Sequence, residues 1–128
     1  MIEFDSLCTA SAHDEGASVE ITDPGTGKKT GVMIRVMGVD SKAWRCAQKE
    51  QTKKLITEMK GDKLSAESSL LYDLEMITAV TTGWEGITAS GKPMKFTKRK
   101  ARELYEKAPY ILDQVNVFIA DRRNFTNG

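Results

Sequence analysis

Few residues in this chain have side chains that could carry out chemistry. His13 is the only histidine, flanked by Asp14 and Glu15, with Cys8 and Ser11 nearby. A histidine near a thiol, a hydroxyl and carboxylates could serve acid–base or nucleophilic catalysis, or hold a metal. A metal site needs further ligands converging in space, and a nucleophile needs its base held rigidly against it. Residues 1–16, "MIEFDSLCTASAHDEG", mix small, polar and charged types without a sustained period. They read as an irregular arm that adds little to the core, which makes His13 an exposed loop residue. No two carboxylates share the apolar setting that raises a pKa for general acid work. Glu75 comes nearest, between Leu74 and Met76, and is assigned to a solvated helix face.

Two other stretches suggest anion binding. "PGTGKKTG" offers glycine amides followed by lysines. A phosphate loop would need glycine where Thr22 stands and Ser or Thr where Lys29 stands, so the stretch reads as a hairpin turn. The dinucleotide fingerprint fails as well, because Gly25, Gly27 and Gly31 have the wrong spacing. Lys92, Lys95, Lys98, Arg99, Lys100 and Arg102 form the main basic cluster. Only Phe96 is interleaved and no nucleic-acid motif accompanies it, so the cluster reads as a protein-contact or solvated face.

Composition narrows the classes further. The 128 residues fit one domain, and 19 Lys plus Arg against 18 Asp plus Glu leave a net charge of +1. Such a balance gives no global field to attract nucleic acid or anionic lipid. Cys8 and Cys46 lack both disulfide-framework and zinc spacing and read as unrelated thiols. Glu3 and Asp5 replace the basic start of a signal peptide, and no apolar run approaches the roughly 20 residues that cross a bilayer. A soluble, cytoplasmic protein without cofactor or metal is expected.

The elements that must position these residues follow from periodicity. Val19 and Ile21, then Val32, Ile34 and Val36, alternate with other residues on either side of "DPGTGKK", which predicts a β-hairpin. Met33 and Met37 fall on the opposite face of the second strand. A surface helix is predicted from an Asp40 or Ser41 cap to Gly61, with Trp44, Ala47, Leu55 and Met59 as its stripe. A core helix begins near Ser65 and carries Leu70, Leu71, Leu74, Ile77, Val80, Thr81 and Trp84. Thr97 caps a short helix, and Pro109 opens a last one with Ile111, Leu112, Val115, Phe118, Ile119 and Arg122 on one face. The chain is therefore expected to be α+β and predominantly helical. An arm over 1–16 precedes a single domain over 17–128, built as an N-terminal hairpin followed by about four helices.

Trp84 lies between Gly83 and Gly86 in "TTGWEGIT" and continues the stripe through Ile77 and Thr81. It is expected to plug the end of the core helix while the glycines permit a tight exit. This segment also carries a resemblance. From about residue 66 to 125, an aliphatic helix runs into "TTGWEGI", then an "SGKPMKF" loop, then "ARELYEKAPYILDQVNVFIADRRNF". In order and spacing this resembles the tail assembly chaperones of long-tailed bacteriophages, through Gly83, Trp84, Gly86, Ile87, Gly91, Pro93 and Phe96. The likeness covers about half the chain, and "VMIRVMGVDSKAWRCAQKE" extends it less specifically.

The resemblance implies a non-enzymatic late protein of the bacterial host cytoplasm, absent from the mature virion. It would bind the tape measure protein, keep it soluble and help recruit tail tube protein. Many members of the family also exist in a longer frameshifted form. An apolar groove near the final helices would shield the hydrophobic faces of a long helical client. Trp84 and Phe96 would shape that surface, and Tyr105, Tyr110 and Phe118 would make direct contact, unless these five belong to the core. The sequence leaves homo-oligomerisation open. Competing readings are a structural tail or head-to-tail joining subunit, which would form rings, and a DNA-binding accessory protein using Lys92 to Arg102.

Overall fold

A computed structural model describes the backbone of residues 2–59 and 66–125, and side chains over 2–54 and 71–125. Two short helices, α1 (Phe4–Leu7) and α2 (Ala10–Glu15), precede the hairpin of β1 (Ala17–Thr22) and β2 (Lys29–Val36). Then come α3 (Lys42–Met59), α4 (Ala66–Val80), β3 (Thr81–Glu85) and a miniature hairpin, β4 (Thr88–Ala89) with β5 (Lys92–Pro93). Helices α5 (Lys98–Lys107) and α6 (Pro109–Ala120) and a 3-10 turn, Arg122–Phe125, follow. The α+β, mostly helical architecture with its early hairpin is thus the one the periodicity predicts.

The first hairpin turns where Asp, Pro and Gly direct it. The Asp23 carboxylate accepts from the Gly25 and Thr26 amides at 2.7 and 3.1 Å, closing a side-chain-mediated turn. In the antiparallel ladder Val19 faces Ile34 and Ala17 faces Val36, so the alternating apolar residues share one face. That face packs on α4, α5 and α6. Ile34, Val36, Ile77, Val80, Val115 and Ile119 lie at its centre, each at most 1% exposed. Burying one such aliphatic side chain is worth about 1.5 to 3 kcal/mol, so this layer is a major source of cohesion.

The predicted caps hold where they can be seen. Ser41 Oγ accepts from the Trp44 amide at 3.1 Å at the start of α3, and Thr97 Oγ1 accepts from the Lys100 amide at 3.1 Å at the start of α5. Pro109 occupies the first turn of α6. The stop expected at Gly61 and the cap at Ser65 lie outside the described residues, as do the side chains of Leu55, Met59 and Leu70. Helix α6 ends at Ala120, so Arg122 leaves the predicted stripe for the 3-10 turn.

Two expectations are corrected. The core helix does not continue through Trp84; it ends at Val80, and residues 81–85 become β3, pairing antiparallel with β2. Strand β2 lies in the middle of the order β1-β2-β3, and without β3 its second edge would keep unpaired backbone groups beside the core. Thr81 and Thr82, being β-branched, accept the extended form at little cost. The other correction is the arm over 1–16, which is not irregular but contains α1 and α2. It is fastened by Gly38 N–H to the His13 carbonyl at 3.1 Å, Lys42 N–H to Asp14 Oδ1 at 2.8 Å, and Arg35 Nη2 to the Glu15 carbonyl at 2.7 Å. Asp14 thereby supplies an acceptor to an amide at the start of α3 that has no partner inside the helix.

Candidate functional site

The surroundings of His13 differ most from expectation. It is fully buried, not an exposed loop residue. Its ring stacks on Phe125 with centroids 4.9 Å apart, its Nδ1 accepts from the Asp40 amide at 3.1 Å, and its Nε2 lies 3.5 Å from Asp40 Oδ2. Asp40 in turn receives two bonds of 3.0 Å from Arg122, one of 3.2 Å from Arg45, and one from the Thr9 hydroxyl. The Arg122 guanidinium and the Thr9 hydroxyl hold the Asp40 carboxyl far below the usual carboxylate range. Burial pushes the His13 imidazole down, against the pull of Asp40 and Asp14. Thr9 donates to Asp40 and not to the histidine, and no reactant can reach a ring that is sealed on all sides. The cluster is a clasp that joins α2, the segment before α3, and the C-terminal turn. A Cβ at Gly38 would overlap His13 Nδ1, so only glycine lets the imidazole lie against this backbone.

Trp84 forms a second clasp. It projects from β3 opposite Ile34 toward the core and is half-buried. Its indole Nε1–H donates to the Met94 carbonyl at 2.8 Å, and its ring meets Phe96 edge-on at 5.1 Å. The loop carrying β4 and β5 is thus held from within by an aromatic pair and a hydrogen bond. Gly86, with φ +85°, turns against the Gly31 carbonyl, where a Cβ would collide. Trp84 is a plug, as expected, but for a chain reversal between sheet and loop.

Of the remaining aromatic candidates, Tyr105 is 1% exposed and makes no surface contact. Its hydroxyl lies 2.8 Å from Thr81 Oγ1; Thr81 already donates to the Ile77 carbonyl at 2.7 Å, so Tyr105 is the donor. Burial pushes its pKa up to about 12. Tyr110 is exposed on α6, and Phe118 is half-buried, meeting Phe125 edge-on at 5.5 Å. The five aromatics therefore form no single surface. The basic cluster is divided too. Lys98 Nζ caps the end of α4 through the Thr78, Ala79 and Thr81 carbonyls at 3.1, 2.7 and 2.7 Å, and its burial lowers its pKa. Arg102 pairs with Glu75 and Glu106, which removes Glu75 from free solvent.

The surface best shaped for a partner is an open groove of about 500 Å³ between β1 and α6. Val19 and Phe118 form its floor, Val117 stands on its α6 wall, and Glu20, Asp113 and Asp121 supply carboxylates around it. Val117 is 72% exposed, the most exposed large apolar side chain among the described residues outside the first few. Sequence reasoning found Phe118 but missed Val117, because Val117 lies off the buried stripe of Ile111, Val115 and Ile119. Its signal is an apolar residue four positions from Asp113 and from Asp121 on an otherwise polar face. Among the described residues, no group of His, Cys, Asp and Glu is placed to hold a metal ion. No described helix is long and apolar enough to cross a membrane. In comparisons with known proteins, the chain matches no family model, no curated protein and no solved structure.

Proposed function

We propose that this protein is a non-enzymatic assembly chaperone of the phage tail type. It binds the tape measure protein in the bacterial host cytoplasm, keeps it soluble, helps recruit tail tube protein, and is left out of the finished virion. The observation that carries the reading is the groove between β1 and α6, where Val117 stands 72% exposed beside Phe118. An exposed apolar wall is costly to leave in water and suits a protein that covers apolar side chains of a client. The resemblance over residues 66–125 adds support, since its Trp84 and Phe96 make one clasp and its last helix provides one wall of the groove. Tyr110, exposed one turn before Gln114 on α6, lies outside the groove's lining.

The test is coexpression with the tape measure protein of the same phage. Client recovered soluble and copurifying with this chain is the expected result. Client that stays insoluble beside folded, abundant chaperone rejects the reading for this form of the protein, and finding the chain in purified virions moves it to the structural-subunit class.

A further inference from the structure

We infer that the free edge of β1 and the groove beside it take an extended segment in which apolar and basic side chains alternate, bound as an added strand of the sheet. This gives the conformation and chemistry of the contact segment, and it rests on the client-binding reading above.

Among the described residues, the order β1-β2-β3 leaves β1 with one edge unpaired by any strand. Thr22 reveals which backbone groups point that way. Its N–H donates to Gln114 Oε1 and its carbonyl accepts from Gln114 Nε2, both at 2.9 Å. Ile21, one residue earlier, turns its carbonyl the other way, toward the Thr30 hydroxyl of β2 at 2.7 Å. The ladder shifts register between Glu20 and Thr22, but the extra residues lie on β2 and β1 keeps its alternation, with Val19 and Ile21 both buried. Alternate residues of a strand share a direction, so the N–H and C=O of Ser18 and Glu20 point outward with those of Thr22. The Gln114 side-chain amide already occupies the place of a partner's peptide group, and among the described residues it does so at one end of the edge only. A helix could not satisfy the remaining groups, whereas a strand could.

Side-chain chemistry then specifies the sequence of the guest. Every second residue of an added strand would turn toward Val19, Val117 and Phe118, and favours an apolar type. The intervening residues would turn to the outer face beside Glu20, with the ends of the segment reaching Asp113 and Asp121. Lys29 lies 3.6 Å from Glu20 and Arg123 lies 2.8 Å from Asp121, but both cations are exposed. Among the described residues no ion pair engages Asp113. Carboxylates arranged around an apolar floor attract basic guests and repel acidic ones.

The experiment titrates the isotope-labelled full chain with a capped Lys–Val alternating peptide of about six residues, enough to span β1. Saturable amide shifts at Ser18 and Glu20 are expected. N-methylation of alternate peptide amides should weaken binding by about tenfold or more, as should Asp113→Lys or Val117→Asp, with the melting temperature of each variant unchanged. Equal binding of the methylated peptide overturns the proposal, as does the absence of saturable shifts. An amphipathic Leu–Lys helical peptide that perturbs the same amides more strongly also overturns it. Peptide-free, concentration-dependent shifts that Val117→Asp abolishes would assign the edge to a second copy of the chain instead. If the peptide fails while the tape measure protein is still kept soluble, only the strand proposal falls. If the peptide binds as described and the tape measure protein stays insoluble, only the chaperone reading falls.

Discussion

The two aromatic clasps solve the same problem at opposite ranges of the chain. Trp84 and Phe96 are separated by a short loop, and the indole reaches its hydrogen-bond partner Met94 within that loop. His13 and Phe125 stand near opposite ends of the chain and meet only because Gly38 leaves room and Asp40 gathers Thr9, Arg45 and Arg122 around itself. The local clasp positions a loop on a sheet that is already formed. The distant one closes the fold, since it ties α2 and the segment before α3 to the C-terminal turn. A clasp that joins distant segments should therefore cost more to break and affect the whole molecule, while the local one should loosen only its loop.

The largest effect is expected from Phe125→Ala, which removes a 4% exposed ring from the core and from the His13 stack. It should lower unfolding free energy by about 3 to 4 kcal/mol. Phe96→Ala, at a half-buried ring, should lose no more than about half of that by the same denaturant measurement. Equal losses would erase the distinction between the clasps. Next comes Gly38→Ala, which forces a methyl into the imidazole and should cost about 2 to 3 kcal/mol, with hydrogen exchange accelerating across α2. An alanine variant of full stability would mean that His13 is not held where it stacks.

Trp84→Phe keeps most of the apolar contact and deletes the bond to Met94, for about 1 kcal/mol. Its faster amide exchange should be confined to residues 86–96, and spread into α2 would contradict local action. The smallest effect is one of pH. Burial lowers the His13 pKa from 6.5, so the unfolded chain takes up that proton first. The contribution is fully present above about pH 6.5 and is lost as pH falls through the lower folded value. Asp40 adds its own loss only at lower pH, below its ordinary 3.8. Because His13 is the only histidine, denaturation midpoints between pH 7.5 and 5 should decline in the parent and stay flat in His13→Phe. A slope that survives the substitution would assign it to another group.

Legibility in the sequence follows the same division of range. The hairpin at Asp23, the caps at Ser41 and Thr97, and Pro109 at the start of α6 are set by neighbours a few residues away, and each forms as periodicity and turn chemistry predict. Periodicity carries helix α4 too far because Thr81 and Trp84 do lie at helical spacing from Ile77, and nothing local announces that β2 needs a third strand. Tyr105 and Phe118 look alike as aromatic positions on amphipathic helices. Only packing decides that one donates to Thr81 inside the core while the other lines a groove.

By itself, the sequence determined the order and kind of most elements, because hydrophobic period, caps and turns act over a few residues at a time. Tertiary structure alone decided that His13 is buried, that residues 81–85 leave the helix, that Lys98 serves as a cap, and that β1 and α6 enclose a groove with an acidic rim. Each of these depends on groups brought together from distant parts of the chain. Their desolvation, hydrogen bonding and steric fit have no value until the fold sets the distances.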